Sequence, residues 1–189
     1  MLVFLAAWIL SAVKPGIPED WFLENLLVFV LIALLTVSYR WLAFSDCSYL
    51  LILIFLCLHE CGAHYQYDAA VPGEWMKLIV NTQRNHYDRL VHFSFGLLLS
   101  YPQREILMRK AGLRGTWLAI LPIFTTLALS AAYEMIEALV ATIVDPVDAA
   151  AFLGSQGDPW DSQEDMFMAL TGAIVLATVV SVIGRRSHA

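Results

Sequence analysis

The chain has 189 residues, of which 59% are hydrophobic and 15% charged, whereas soluble domains average about 45–50% apolar and about 25% charged residues. Its 17 acidic and 11 basic residues give a net charge of −6, which argues against nucleic acid as a partner. The apolar excess falls in blocks long enough to cross a bilayer, for which about 20 residues are needed, so the composition excludes an ordinary soluble domain and predicts an integral membrane protein.

The apolar blocks, taken in chain order, predict the fold. The first, MLVFLAAWILSAV, lacks the basic start and the cleavage site of a secretory signal, which favours a short span or half-span that is retained. Hydrocarbon admits only helices or closed barrels, and these blocks are continuous rather than alternating, so we expect an all-α integral membrane bundle of about six transmembrane helices in one domain, residues 1–189. The later blocks lie at about 21–39, 47–63, 90–101, 116–140 and 166–184.

Basic residues in the short loops predict the orientation of the chain. The loop from Arg104 to Arg114 and the tail with Arg185 and Arg186 carry most of them, which would place both of these segments and both termini in the cytoplasm. Nearly all of the acidic residues and four of the five histidines then fall at the outer membrane face. Acidic residues hardly determine topology, so this asymmetry calls for another cause.

Four segments would deliver ionisable side chains to that outer face: LHECGAH, NHYDRLVHF, YEMIE and GSQGDPWDSQED. Residues three or four apart share a helix face, which groups Asp88 with His92, Glu134 with Glu137, and Asp158 with Asp161 and Asp165. An Asp before a proline is typical of a helix start, so the last span is predicted to begin near Asp158.

Carboxylates that converge in a membrane repel each other unless a cation or proton balances them. Mixed sets of His, Asp and Glu suit a divalent metal such as zinc, manganese or iron, which can activate water against an ester or phosphoester. We therefore expect a cavity that faces outward. The predicted catalytic groups are Asp88, His92, Glu134 and Glu137, and the predicted metal ligands are His59, Glu60, His64, His86, Asp158, Asp161 and Asp165.

Other chemistries do not match the residues. The histidines of LHECGAH are five apart, about 140° around a helix, so they do not form the zinc-protease motif His-Glu-x-x-His. Simpler interpretations stay open for each segment alone: an Asp–His pair suits a structural hydrogen bond, and acids at a helix start suit the helix dipole. The three cysteines form no Cys-x-x-Cys pair and are interpreted as apolar residues.

The same motifs carry a resemblance to a known family. LHECGAHYQYDAAVP, NHYDRLVHFSFGLLLSYPQRE, YEMIEA and FLGSQGDPWDSQEDM resemble the YjdF-like family of multi-pass bacterial inner-membrane proteins, over about residues 15–183. The stretch DRLVH and the later acids are more distantly similar to VanZ-like membrane proteins. The resemblance implies a bacterial inner-membrane location and about six spans, and the candidate residues match the family motifs, but it implies no particular activity.

The leading functional hypothesis is metal-dependent hydrolysis of a lipid-linked or envelope substrate, with membrane lipid as the surrounding partner. One alternative is a transporter or proton-coupled carrier, although few ionisable groups continue toward the cytoplasm and no inverted repeat is evident. Another is a non-catalytic membrane scaffold in which the polar residues only hold helices together.

Overall fold

The computed structural model describes residues 2–144 and 153–186, and within these ranges the chain is helical and contains no strand. The helices are α1 Leu2–Ser11, α2 Pro18–Ser38, α3 Asp46–Tyr65, α4 Val71–Val80, α5 Tyr87–Ser94, α6 Ser100–Lys110, α7 Gly115–Ala141 and α8 Asp161–Arg186. A 3₁₀ helix, Tyr67–Ala69, follows α3, and a π-helical turn, Phe95–Leu99, joins α5 to α6.

Four helices, α2, α3, α7 and α8, are long and apolar enough to cross a membrane, which confirms an all-α membrane protein. Much of α2 is exposed, with Leu34 61% and Val37 63% accessible, as expected for side chains that contact lipid. Six spans are not confirmed. Helix α1 has only ten residues, about 15 Å of helix against a hydrocarbon core of about 30 Å. The other predicted span is divided into α5, the π turn and α6.

Two helix starts illustrate how local sequence determines the boundaries. At α3, the side chain of Ser45 accepts a hydrogen bond from the backbone N–H of Ser48 and so caps the helix. At α8, the helix begins at Asp161 and not near Asp158 as predicted. The carboxylate of Asp158 instead accepts a hydrogen bond from the backbone N–H of Trp160 at 2.9 Å, which holds a turn ahead of the helix.

Two glycines set the register between the π turn and α8. A Cβ on Gly96 would lie 1.8 Å from the carbonyl oxygen of Ala169, and one on Gly172 would lie 2.1 Å from that of Phe93. The two backbones therefore approach as closely as only glycine permits. Residues four apart share a helix face. One helical turn before Gly96 is His92, and one turn before Ala169 is Asp165, so the glycine contact places these two side chains opposite each other.

Candidate functional site

Four ionisable side chains meet where α5, α7 and α8 pack together, and we call them the polar centre: Asp88, His92, Glu134 and Asp165. The Nε2 atom of His92 lies 3.5 Å from a carboxylate oxygen of Asp88 and 3.6 Å from one of Glu134. Asp88, His92 and Asp165 each offer a ligand atom, and these atoms lie within 4.8 Å of one another. Asp165 is 2% exposed, so the centre is removed from bulk water.

Two carboxylate oxygens of the polar centre have no hydrogen-bond partner. One oxygen of Asp165 and one of Glu134 are buried without a hydrogen bond. A buried polar atom that lacks a partner carries a desolvation cost of about 1–3 kcal/mol, and more when the group is charged. The centre is therefore built with free acceptor capacity at its middle.

An outer ion-pair network covers the polar centre on the side of the 153–160 loop. Arg89 lies 2.7 Å from Asp158 and also contacts Glu164. Arg84 pairs with Asp161 and donates to the backbone oxygen of Ser155 at 2.6 Å. Two of the predicted metal ligands, Asp158 and Asp161, are thus engaged with arginine in this structure.

The titratable groups of this network outside the membrane-spanning helices have shifted pKa values. The hydrogen bond from the backbone of Trp160, reinforced by Arg89, holds the pKa of Asp158 below its usual range. Burial, together with the positive charges of Arg89 and Arg84, lowers the pKa of His86. The site therefore favours a charged Asp158 and a neutral His86.

His59 lies beside the polar centre, and both of its ring nitrogens are occupied. Its Nε2 faces the backbone oxygen of Glu24 at 3.3 Å, and the hydroxyl of Tyr67 donates to its Nδ1 at 2.6 Å. A carbonyl oxygen only accepts, so Nε2 carries the proton. As a result, His59 orients the Tyr67 phenol and has no nitrogen left for a metal without rearrangement.

A cavity of about 410 Å³ extends from the polar centre along the helices. His92, Asp88 and Tyr133 line its outer end, and the walls below are mostly apolar, from Val91 down to Ile106. These 16 residues of the α5–α6 segment correspond to about 22 Å of helix. A mostly apolar cavity with a few polar groups at one end has the general character of a ligand-binding site.

The opening of this cavity lies between α2 and α7. In the described part of the chain α2 packs mainly on α3 and makes no comparable contact with α7. Leu27 on α2 and Leu129 on α7 line the cavity and are 39% and 52% exposed. A hydrogen bond from Tyr133 to Glu24, 3.0 Å long, bridges the two helices at the outer end. The opening thus lies on the side of the helical bundle, between two of the candidate membrane spans.

Glu137, one turn outward from Glu134, lines a second and much smaller cavity with Glu24, Tyr67 and Asp88. Its volume is about 20 Å³, and a space of about 10–15 Å³ is enough for one water molecule if polar partners surround it. Three carboxyl groups and a phenol satisfy that condition. This position could hold a single water molecule next to the polar centre.

Glu60 and His64 point away from the polar centre, toward α1. Glu60 is 1% exposed and accepts a hydrogen bond from the hydroxyl of Ser11. The Nδ1 atom of His64 lies 2.9 Å from the backbone oxygen of Ser11, to which it donates. The structure therefore does not bring these two predicted ligands together with the other predicted site residues, and it gives them contacts that attach α1 to α3.

Five residues that surround the polar centre were not among the predicted catalytic groups or metal ligands. Arg84 directly precedes the NHYDRLVHF motif and Arg89 lies within it, and their positive charge next to an acid-rich site was a signal that could have been used. Tyr133 precedes Glu134 within the YEMIE motif. Glu24 and Tyr67 gave no signal, because their roles depend on contacts with distant segments.

These features define a helical integral membrane protein with a buried ionisable centre. The profile of the family described as "Predicted membrane protein (DUF2238)" matches residues 1–186, and the chain belongs to this family. The chain is 38% identical over 165 residues to the inner membrane protein YjdF of Escherichia coli (strain K12). The aligned region covers 85% of this chain and 76% of that protein. The expected resemblance is thereby confirmed. No solved structure matches the chain.

Proposed function

We propose that this protein is a membrane-embedded hydrolase that binds one divalent cation and cleaves an ester or phosphoester bond of a lipid-linked substrate. The observation that carries the proposal is the position of the polar centre at the end of the apolar cavity. The cavity would hold the lipid chain, and the bond to be cleaved would lie beside His92.

The distances in the polar centre support a cation at its middle. Two ligands that lie 2.0–2.2 Å from one tetrahedral ion are about 3.3–3.6 Å apart. The separations of His92 Nε2 from Asp88 and from Glu134 are 3.5 and 3.6 Å, which is too long for hydrogen bonds and suitable for shared coordination. Zinc, manganese and iron all accept such His and carboxylate ligands.

A buried carboxylate elsewhere in the protein supports a functional rather than a structural role for the centre. Glu105 accepts hydrogen bonds from the backbone and side chain of Ser45 and from Ser48 at 2.5 Å, and it pairs with Arg109. Both of its oxygens have partners, as expected for a carboxylate that only holds helices together. Asp165 and Glu134 each leave one buried oxygen without a hydrogen bond, as Glu60 also does at the α1–α3 contact, and the polar centre is the place where two such carboxylates lie beside one histidine.

The residues around the polar centre would have different roles in hydrolysis. A bound cation would polarise the substrate oxygen and make water a better nucleophile. A water molecule in the small cavity beside Glu137 would attack the phosphorus or carbonyl carbon, and a carboxylate of the site would accept its proton. The bond to the leaving oxygen would break, and that oxygen would take up the proton. Arg84 and Arg89 would hold Asp161 and Asp158 in place through their ion pairs.

We further propose a bacterial inner-membrane location with about six crossings, in which α1 and the α5–α6 segment supplement the four long helices. Both termini would be cytoplasmic, and the polar centre would open toward the periplasm. The basic residues between Arg104 and Arg114, at the end of the bundle opposite the polar centre, support this orientation. Cysteine labelling from either side of the membrane after substitution at Lys14 and Arg114 tests it.

Metal analysis of the purified protein tests the central proposal. Wild type should retain close to one equivalent of a transition metal, and His92→Gln and Asp165→Asn should lose it. Asp68→Asn, which removes a carboxylate from the 3₁₀ helix without a contact to the centre, is the matched control. In liposomes of bacterial lipid, wild type should release a head group or acyl product detectable by mass spectrometry, and His92→Gln should reduce the rate at least about a hundredfold.

Two other results would overturn the proposal. The first is that the protein binds no metal, that chelators change neither its stability nor the lipid composition, and that His92→Gln lowers stability without any other effect. In that case the non-catalytic scaffold replaces hydrolysis as the interpretation. If the protein instead drives proton-coupled solute flux in vesicles, and this flux is lost on mutation of Asp165, the carrier interpretation replaces hydrolysis.

A further inference from the structure

A third cavity lies at the opposite end of the bundle, on the proposed cytoplasmic side. It has a volume of about 670 Å³ and lies between α6, α7 and α8. Helix α7 packs firmly against both neighbours, whereas α6 and α8 make few contacts with each other. The cavity is therefore a groove with α7 as its floor, and it is open to the bilayer along its length.

The walls of this groove suit hydrocarbon, and one end suits an anion. Leu118, Leu176 and Val180 form much of the apolar surface. Arg104 lines the groove and is partly buried, and within the described ranges its guanidinium makes no ion pair with a carboxylate and no hydrogen bond, although its charge acts on the nearby Tyr101. An arginine that is partly buried without a carboxylate partner lacks the charge compensation that membrane-embedded guanidinium groups normally have.

Further donors and charges lie next to Arg104. Thr116 lines the groove in the first turn of α7, where backbone N–H groups have no partner within the helix and no side chain caps them. That turn contains no acidic residue. Arg109, one turn further along α6, is compensated by Glu105 and so contributes less net charge. The anion that fits here carries oxygen acceptors and a negative charge and is attached to hydrocarbon.

We propose that this groove is a binding site for an anionic phospholipid, whose phosphate contacts Arg104 and whose acyl chain lies along α7 between α6 and α8. Basic pockets between transmembrane helices on the cytoplasmic side are suited to anionic head groups. The site is separate from the polar centre and does not depend on the proposed hydrolysis, since no residue lines both cavities.

Native mass spectrometry of the full-length protein in detergent with added lipid tests this inference. Phosphatidylglycerol should remain bound in preference to phosphatidylcholine. Arg104→Gln should weaken its retention about fivefold, which corresponds to about 1 kcal/mol for one basic residue, and Arg104→Lys should restore part of it. Arg40→Gln is the matched control, since Arg40 is an exposed arginine at the same proposed membrane face.

Ala177→Trp provides a second variant that fills the groove without a change in charge, because Ala177 lines its wall. It should also reduce retention of phosphatidylglycerol while the unfolding midpoint stays close to that of wild type. Equal losses for Arg104→Gln and Arg40→Gln would show that the lipid binds only through the general surface charge, and equal retention of the two lipids by wild type would also overturn the proposal.

Discussion

The contact between Gly96 and α8 predicts a large effect for a very small substitution. In Gly96→Ala the new Cβ would lie 1.8 Å from the carbonyl oxygen of Ala169, about 1.6 Å short of ordinary van der Waals contact. The obstacle is backbone, so no rotamer change relieves it, and the helices must separate. Overpacking costs about 1–3 kcal/mol, and we expect about 3 kcal/mol here.

The same substitution should damage the polar centre, because Gly96 sets the register that brings His92 to Asp165. Equilibrium unfolding in mixed detergent measures the loss of stability, and metal analysis measures the loss at the centre. Gly16→Ala is the control, since the nearest atoms to its added Cβ lie at 3.5 Å, and it should stay within about 0.5 kcal/mol of wild type. If Gly96→Ala matched the control in both measurements, the inferred role of this helix contact would be refuted.

Two further predictions concern single titratable groups. Burial and the positive charges of Arg89 and Arg84 lower the pKa of His86, so the unfolded state takes up a proton below about pH 6.5 that the folded state does not. Stability should therefore fall as pH drops from 7.5 to 5.5, and His86→Gln should make that fall shallower in chemical unfolding; equal slopes would contradict this. Glu105→Gln, which weakens charge-assisted hydrogen bonds to Ser48 and its neighbours, should cost about 2 kcal/mol in the same assay and leave the metal content unchanged.

The features that the sequence predicted correctly are those that depend on local geometry. The length of the apolar blocks determined the four long helices, because the hydrocarbon thickness fixes the number of residues required. The four-residue spacing of Asp88 and His92 correctly placed both side chains on one face of α5, where their atoms come within 3.5 Å. Neither inference needed knowledge of how the helices pack.

The features that sequence reasoning missed depend on contacts between distant segments. Arg84 and Asp161 are 77 residues apart, and their ion pair exists only because the loop before α5 lies over the start of α8. LHECGAH was interpreted as one group, yet His59 and Glu60 are adjacent and so point about 100° apart around α3. His59 consequently faces the cavity, and Glu60 faces Ser11 on α1.

The distribution of polar groups along the main cavity bears on the choice between a hydrolase and a carrier. Below the polar centre the next buried polar position on the cavity wall is Ser130, whose hydroxyl has no hydrogen-bond partner. Gln103 follows near the far end, about 16 Å along the helix from His92. Neither side chain titrates, so a proton would have to cross most of the bundle without a residue to carry it. The proposed lipid substrate would need no such relay: its chain would occupy the apolar length, the Ser130 hydroxyl would be free to bond an ester oxygen near the head group, and the reactive bond would lie beside His92 at the outer end.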